Sequence, residues 1–223
     1  MIARQETRVT PSQAPTSRPA PRIAIVDDDE ALRDSLAWLL DSVGLATRAF
    51  PGGDAFLADA PDGFDAVLLD VRMPGLSGLQ VQQRLNERGD SAPVIFMTGH
   101  GDVPMAVAAL KAGAFDFIEK PFNHQQLIDV VQQALAEHQS LREAATRLEA
   151  LQARYAALRP KERRILVHVA EGMTSREIAE HLDISAKTVE IYRLRAMKAL
   201  GANNLAELVR FCVALGLVEA LPD

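Results

Sequence analysis

Cysteine is almost missing from this chain: Cys212 is the one thiol among 223 residues. No internal disulfide can form, so a disulfide-stapled secreted scaffold is excluded and a reducing compartment is expected. Aromatic residues are also sparse, with one Trp and two Tyr. No run approaches the roughly 18 uninterrupted apolar residues that suggest a membrane span. The first residues lack the apolar stretch of a secretory signal. A soluble, cytoplasmic protein is therefore the expectation. The five histidines, at 100, 124, 138, 168 and 181, show no zinc-ligand spacing. With no P-loop and no second catalytic cluster in view, an independent enzyme is not expected.

What is present is apolar content of 48%, enough for real cores. The net charge of -6 conceals an asymmetry. From Pro21 to Glu137, 18 acidic residues face 8 basic ones, a net of -10; from His138 to Asp223, 11 face 13, a net of +2. An acidic module joined to one that tolerates a polyanion is the simplest reading.

Met1 to Pro21 holds four prolines among Ser, Thr, Gln and Arg without periodicity, which reads as a disordered tail. Short β-rich runs then alternate with helical patterns. Strands are expected at Ile23–Val26, Ala46–Phe50, Ala66–Leu69, Val94–Met97 and Phe115–Ile118. Helices are expected around Leu32–Val43, Gly53–Ala60, Gly78–Glu87, Pro104–Ala112 and from His124 onward. Five such units imply an α/β domain with a parallel, doubly wound sheet over residues 22–137.

The last of these helices continues into a heptad pattern. Leu127, Ala134, Leu141, Leu148 and Tyr155 fall seven apart, and Val130, Glu137, Ala144, Leu151 and Leu158 occupy the matching position three residues later. Nine of these ten are apolar or aromatic, as a coiled-coil seam requires. A helical linker over 138–158 that pairs with a second copy is expected, with Leu127, Leu141, Leu148 and Leu151 on its dimer surface. After Pro160 only helices follow, about Lys161–Ala170, Ser175–His181, Ala186–Leu200 and Leu205–Leu215. This is a separate all-α domain over 159–223.

In open α/β sheets, reactive groups gather at the carboxyl ends of the strands. Those ends carry Asp27 and Asp28, then Asp70, Thr98 and Lys120. Three carboxylates brought together raise one another's pKa unless a cation neutralises them. A hard ion with oxygen ligands, magnesium (Mg²⁺), fits best. A carboxylate can then act as nucleophile toward phosphorus, with metal, ammonium and hydroxyl stabilising the equatorial oxygens.

In the C-terminal domain, Thr174-Ser-Arg-Glu177 reads as a capping box. Asp183-Ile184 makes a tight turn, and Ser185 is a good N-cap for a long helix. Helix, short turn, helix is a helix-turn-helix pattern. Val189, Tyr192, Ala196 and Leu200 share one face and should be core. Candidate DNA contacts are Ser175, Lys187, Thr188, Glu190, Ile191, Arg193, Arg195 and Lys198, bases near the helix start and phosphates elsewhere. Glu190 could accept from cytosine N4. A charged solvated helix in a protein-binding bundle remains an alternative at this point.

Four segments carry a specific resemblance: Val26-Asp27-Asp28-Asp29, Asp70-Val71-Arg72-Met73-Pro74-Gly75, Thr98-Gly99-His100-Gly101-Asp102, and Lys111-Ala112-Gly113-Ala114-Phe115 running through Lys120-Pro121-Phe122. They resemble the receiver domain of two-component response regulators, in the FixJ branch of the NarL/LuxR type. Leu158 through Arg163, Glu171 through Ala179, Ile184 through Arg193 and Leu205 through Arg210 are similar to LuxR-type DNA-binding domains. The resemblance implies a flavodoxin-like receiver with Asp70 as phosphoacceptor. It implies Asp27, Asp28, Asp70 and the Arg72 backbone carbonyl as Mg²⁺ ligands, and Thr98 and Lys120 as phosphoryl sensors. Phe117 takes the aromatic switch position, turning inward when Thr98 is drawn to the phosphate, and the face bearing Val103 and Lys111 is the implied dimer surface. A sensor histidine kinase and duplex DNA are the implied partners, with RNA polymerase a further candidate. Arg159 stands where this family often has a capping Thr, Tyr192 where it often has His, and Leu194 offers no polar group. A protein-binding adaptor and an RNA-binding antiterminator share the first half of this reading, and salt-steep binding to duplex DNA separates them from it.

Overall fold

A computed structural model describes residues 21–59, 63–99 and 103–218. The expected tail, apart from Pro21, lies outside the described residues. The strands are β1 (Arg22–Val26), β2 (Ala46–Phe50), β3 (Ala66–Asp70), β4 (Val94–Thr98) and β5 (Asp116–Glu119). Every residue of β3 and β4 is buried, as expected for the unbroken apolar runs of central parallel strands. β2, an edge strand, buries only Phe50. The sheet order is β2-β1-β3-β4-β5, all parallel. The order reverses between β1 and β3, so the crevice at the carboxyl ends of these strands is the place for chemistry.

The helices are α1 (Glu30–Asp41), α2 (Gly53–Asp59), α3 (Gly78–Arg88), α4 (Val103–Lys111) and the beginning of α5 (His124–Ala156). Alternate strand residues feed two cores, because successive side chains leave a strand on opposite faces. Ile23, Ile25, Leu68 and Met97 pack with Leu36 and Leu40 of α1 and Leu127 and Val131 of α5. Val26, Leu69 and Phe96 pack with Phe56 of α2, Val81 and Leu85 of α3 and Ala109 of α4.

The chain divides into two compact units between Gln139 and Ser140, within the 33-residue α5. This corrects the expected seam. Leu127 and Ala134 are fully buried in the first unit's core. Leu151 and Leu158 are buried in the core of the second, and Leu158 lies beyond the end of α5. Neither Leu127 nor Leu151 is a free dimer surface: each lies where α5 packs on its own unit. Every residue from 140 to 150 is exposed, including Leu141 and Leu148.

Besides the end of α5, the second unit contains α6 (Pro160–Ala170), α7 (Ser175–Leu182), α8 (Ala186–Leu200) and α9 (Leu205–Ala214) around Ile165, Leu166, Ile178, Val189, Ala196, Leu200 and Leu208. Pro160 starts α6 rather than merely ending the preceding pattern, since a first-turn residue needs no N–H partner. Arg159, with no side-chain acceptor, is the N-cap residue; the Arg159 N–H donates to Glu162 Oε2 at 2.9 Å. Half a capping box therefore survives without the hydroxyl. Among the described residues no helix is long and apolar enough to cross a membrane.

Candidate functional site

Asp70 ends β3, and Asp27 follows β1 directly. Both are buried, and the Lys120 ammonium donates to both, to Asp27 Oδ2 at 2.7 Å and Asp70 Oδ1 at 2.6 Å. The remaining oxygens are held by backbone: Asp29 N–H donates to Asp27 Oδ1 at 2.9 Å, and Arg72 N–H to Asp70 Oδ2 at 3.0 Å. Each carboxylate is thus fixed at both ends. Burial is the largest influence on Asp70 and raises its pKa above the usual carboxylate value. The Asp27 charge adds to this, while Lys120 and the Arg72 N–H oppose it. For Lys120, burial disfavours the charge but is outweighed by its two carboxylate partners, so its pKa is raised and the ammonium persists.

Asp28 does not join this cluster. It is exposed, while Asp29 beside it caps α1 by accepting from Leu32 N–H at 3.2 Å. Among the described residues no group of three acidic, imidazole or thiol side chains is placed to hold a metal. Thr98 ends β4 and is buried, one residue past Met97, the β4 partner of Asp70. The Lys120 N–H donates to the Thr98 carbonyl at 2.7 Å, tying the ends of β4 and β5 together. Phe117 on β5 is 37% exposed, so it is not core filler. Val103 opens α4, with its side chain outside what is described, and Lys111 closes α4, exposed. His100, Gly101 and Asp102 lie outside the described residues.

Two supporting residues escaped the sequence reading. Arg33, on the first turns of α1, donates to the Asp27 backbone carbonyl at 2.7 Å and steadies that strand end. Gly78 starts α3 directly against the Asp70 backbone: a Cβ there would lie 2.3 Å from the Asp70 carbonyl oxygen. A helix start shortly after a strand-end carboxylate signals such an approach, but only the fold shows how close it is.

In the second unit the capping box forms as expected, with Thr174 N–H donating to Glu177 Oε2 at 2.7 Å. These bonds hold the exposed Glu177 carboxyl below its ordinary pKa. Asp183 adopts a left-handed conformation, φ 50°, in the turn to α8, and Ser185 caps α8 by accepting from Thr188 N–H at 3.1 Å. Val189, Ala196 and Leu200 are fully buried, and Tyr192 is half-buried. Lys187, Glu190, Ile191, Arg195 and Lys198 are exposed, with Thr188 and Arg193 half-buried. Ser175 at the start of α7 hydrogen-bonds through its hydroxyl to Glu190 Oε1, and Arg193 Nη1 lies 3.7 Å from the same oxygen.

Comparison with known proteins addresses both units. Residues 23–132 match the response regulator receiver domain, and residues 156–212 match the bacterial regulatory proteins of the luxR family. The chain is 40% identical over 198 residues to the transcriptional regulatory protein FixJ of Bradyrhizobium diazoefficiens, covering 88% of this chain and 97% of that one. It is 45% identical over 191 residues to the C4-dicarboxylate transport transcriptional regulatory protein DctR of Rhodobacter capsulatus, covering 84% and 97%. Among solved structures, response regulator StyR matches with a TM-score of 0.77 at 35% identity, covering 86% and 98%. The strand-end carboxylates and the capped helix pair thus sit in the two domains these relatives share, and the chain belongs to the two-component response regulators that join a receiver to a LuxR-type DNA-binding domain and control transcription.

Proposed function

We propose that Asp70 accepts a phosphoryl group from a sensor histidine kinase and that this modification changes dimerisation and sequence-specific DNA binding. The observation that carries the reading is the Lys120 ammonium held between Asp27 and Asp70 at a strand-order reversal. One Asp70 oxygen attacks phosphorus as the P–N bond of a phosphohistidine breaks. The bonding pair stays on the imidazole nitrogen, which takes a proton. Lys120 offsets charge on the transferred group, and the Arg72 N–H holds the Asp70 carboxylate in its attacking orientation.

Asp27, Asp70 and the Arg72 carbonyl are hard oxygens of the kind that suits Mg²⁺ with several retained waters, and Asp28, exposed beside Asp27, would complete the set only by turning toward them. Bound there, the ion supplies positive charge that neutralises the phosphoryl oxygens. Thr98 then moves toward the phosphoryl group and Phe117 turns inward, remodelling the face of α4 and β5. The exposed Val107, Leu110, Phe117 and Lys111 support a dimer surface there, together with Val103 by position. Leu141 and Leu148, exposed on α5, supply a second pairing stripe.

The working division is a tail over 1–21, a receiver over 22–137, a helical linker over 138–158 and a DNA-binding domain over 159–223, in a cytoplasmic protein. Within the last, Ser175, Lys187, Thr188, Glu190, Ile191, Arg193, Arg195 and Lys198 meet DNA, and RNA polymerase is a further partner. Size-exclusion chromatography with light scattering, with and without Mg²⁺ plus beryllofluoride, tests the switch on wild type and Asp70→Asn. A change in mass in wild type alone is expected. Wild type that stays monomeric, or Asp70→Asn that responds equally, overturns it.

A further inference from the structure

The outward face of α8 combines charge and apolar surface in an order that carries chemical information. At 3.6 residues per turn, Lys187, Glu190, Ile191, Leu194 and Lys198 fall within an arc of about 100°, opposite the buried Val189, Ala196 and Leu200. Ile191 is 45% exposed and Leu194 71% exposed, so two branched apolar side chains stand open to solvent between two lysines. Glu190 beside them is tethered: its Oε1 accepts from the Ser175 hydroxyl and faces Arg193. A carboxylate steadied through one oxygen keeps the other available as an acceptor.

We infer that this stripe reads a cytosine next to thymine in the major groove, with Glu190 taking the cytosine and Ile191 and Leu194 the thymine methyls. This rests on the proposal that α8 enters that groove, for which duplex DNA is the occupant favoured by the flanking Lys187 and Lys198 and by the luxR-family match over residues 156–212. Cytosine alone presents an isolated N4 amino donor in the major groove; adenine pairs its N6 donor with the N7 acceptor, and guanine shows acceptors only. A carboxylate among phosphates is repelled unless it meets such a donor, so Glu190 works mainly by rejection. Ile191 and Leu194 cannot hydrogen-bond to any base edge, and the thymine C5 methyl is the one apolar group the groove offers them. Ser175 is a positioning residue: it restrains Glu190 and is assigned no base here.

The test begins with selection of binding sites from a random duplex library by the full chain in Mg²⁺ and beryllofluoride. The selected half-sites are expected to hold a C with a T within about two base pairs. Glu190→Gln should shift the preferred base from C toward A, whose N6 and N7 suit an amide, with about tenfold lost discrimination. Replacing the thymine by deoxyuridine, which removes only the methyl, should weaken wild-type binding about fourfold and leave Leu194→Ala or Ile191→Ala nearly unaffected. Ser175→Ala should lower the C preference by releasing Glu190. All four side chains lie outside the core, and circular dichroism checks the fold of each variant. Selected sites without the C and T, or a deoxyuridine effect equal in wild type and both alanine variants, overturn the inference. Failure to enrich any duplex overturns the groove reading beneath it as well.

Discussion

Replacing Lys120 by Met removes the ammonium that bridges two buried carboxylates. The Lys120 side chain is 24% exposed, against 1% for Asp27 and 9% for Asp70. Losing one partner of a buried pair costs about 3–5 kcal/mol; because the Lys120 end is partly open to water, we take about 3 kcal/mol at pH 8. The loss should depend on pH with a definite sign. Without the ammonium, the folded-state pKa of Asp70 rises further above its unfolded value. A group with a raised folded pKa adds stability below its unfolded pKa and loses it as pH rises through the folded value. The deficit of Lys120→Met should therefore shrink toward about 1 kcal/mol as pH falls and Asp70 takes a proton. Urea unfolding followed by Trp38 fluorescence isolates the first unit, because the only tryptophan lies on α1. In an Asp27→Asn, Asp70→Asn background, Lys120→Met should cost less than about 1 kcal/mol. A deficit that is equal at pH 4 and pH 8, or unchanged in the double-asparagine background, refutes the account.

Three further outcomes follow from particular contacts. Gly78→Ala places a methyl 2.3 Å from the Asp70 carbonyl and 2.9 Å from the Phe96 ring, so the backbone beneath Asp70 must shift. It should destabilise the first unit by about 2 kcal/mol in urea and slow labelling of Asp70 by a small phosphoryl donor. Glu162→Ala frees the N–H of Arg159 at a helix start that has no capping hydroxyl. It should lower the stability of the second unit by about 1 kcal/mol, measured by circular dichroism. Burial pushes the Cys212 thiol up to about 11. Labelling by a thiol reagent at pH 8 should therefore be slow in the native protein and fast in urea, and fast native labelling contradicts a packed α9.

The local patterns settled most of the architecture. Apolar runs of strand length separated by amphipathic stretches mark β1, β3 and β4 as central parallel strands, because a strand buried on both faces must be apolar throughout. The α7 and α8 boundaries were legible in Thr174, Glu177 and Ser185, since caps act within a single turn. The site residues were legible as the last residues of strands, where an open α/β sheet presents its chemistry.

Other features depend on distances through space, and periodicity does not report them. A heptad repeat shows that Leu127 and Leu151 lie on one stripe of a helix, but not what covers them; each is taken by the core of its own unit. Asp27 and Asp28 are equivalent neighbours in sequence, yet only Asp27, directly after β1, is buried against Lys120, 93 residues away, while Asp28 is exposed in the bend that follows. The approach of Gly78 to Asp70 and the tether from Ser175 to Glu190 likewise require packed elements. Sequence spacing determined which residues could share a face, and tertiary packing decided which faces are covered, because burial depends on the neighbour that chain folding brings to them.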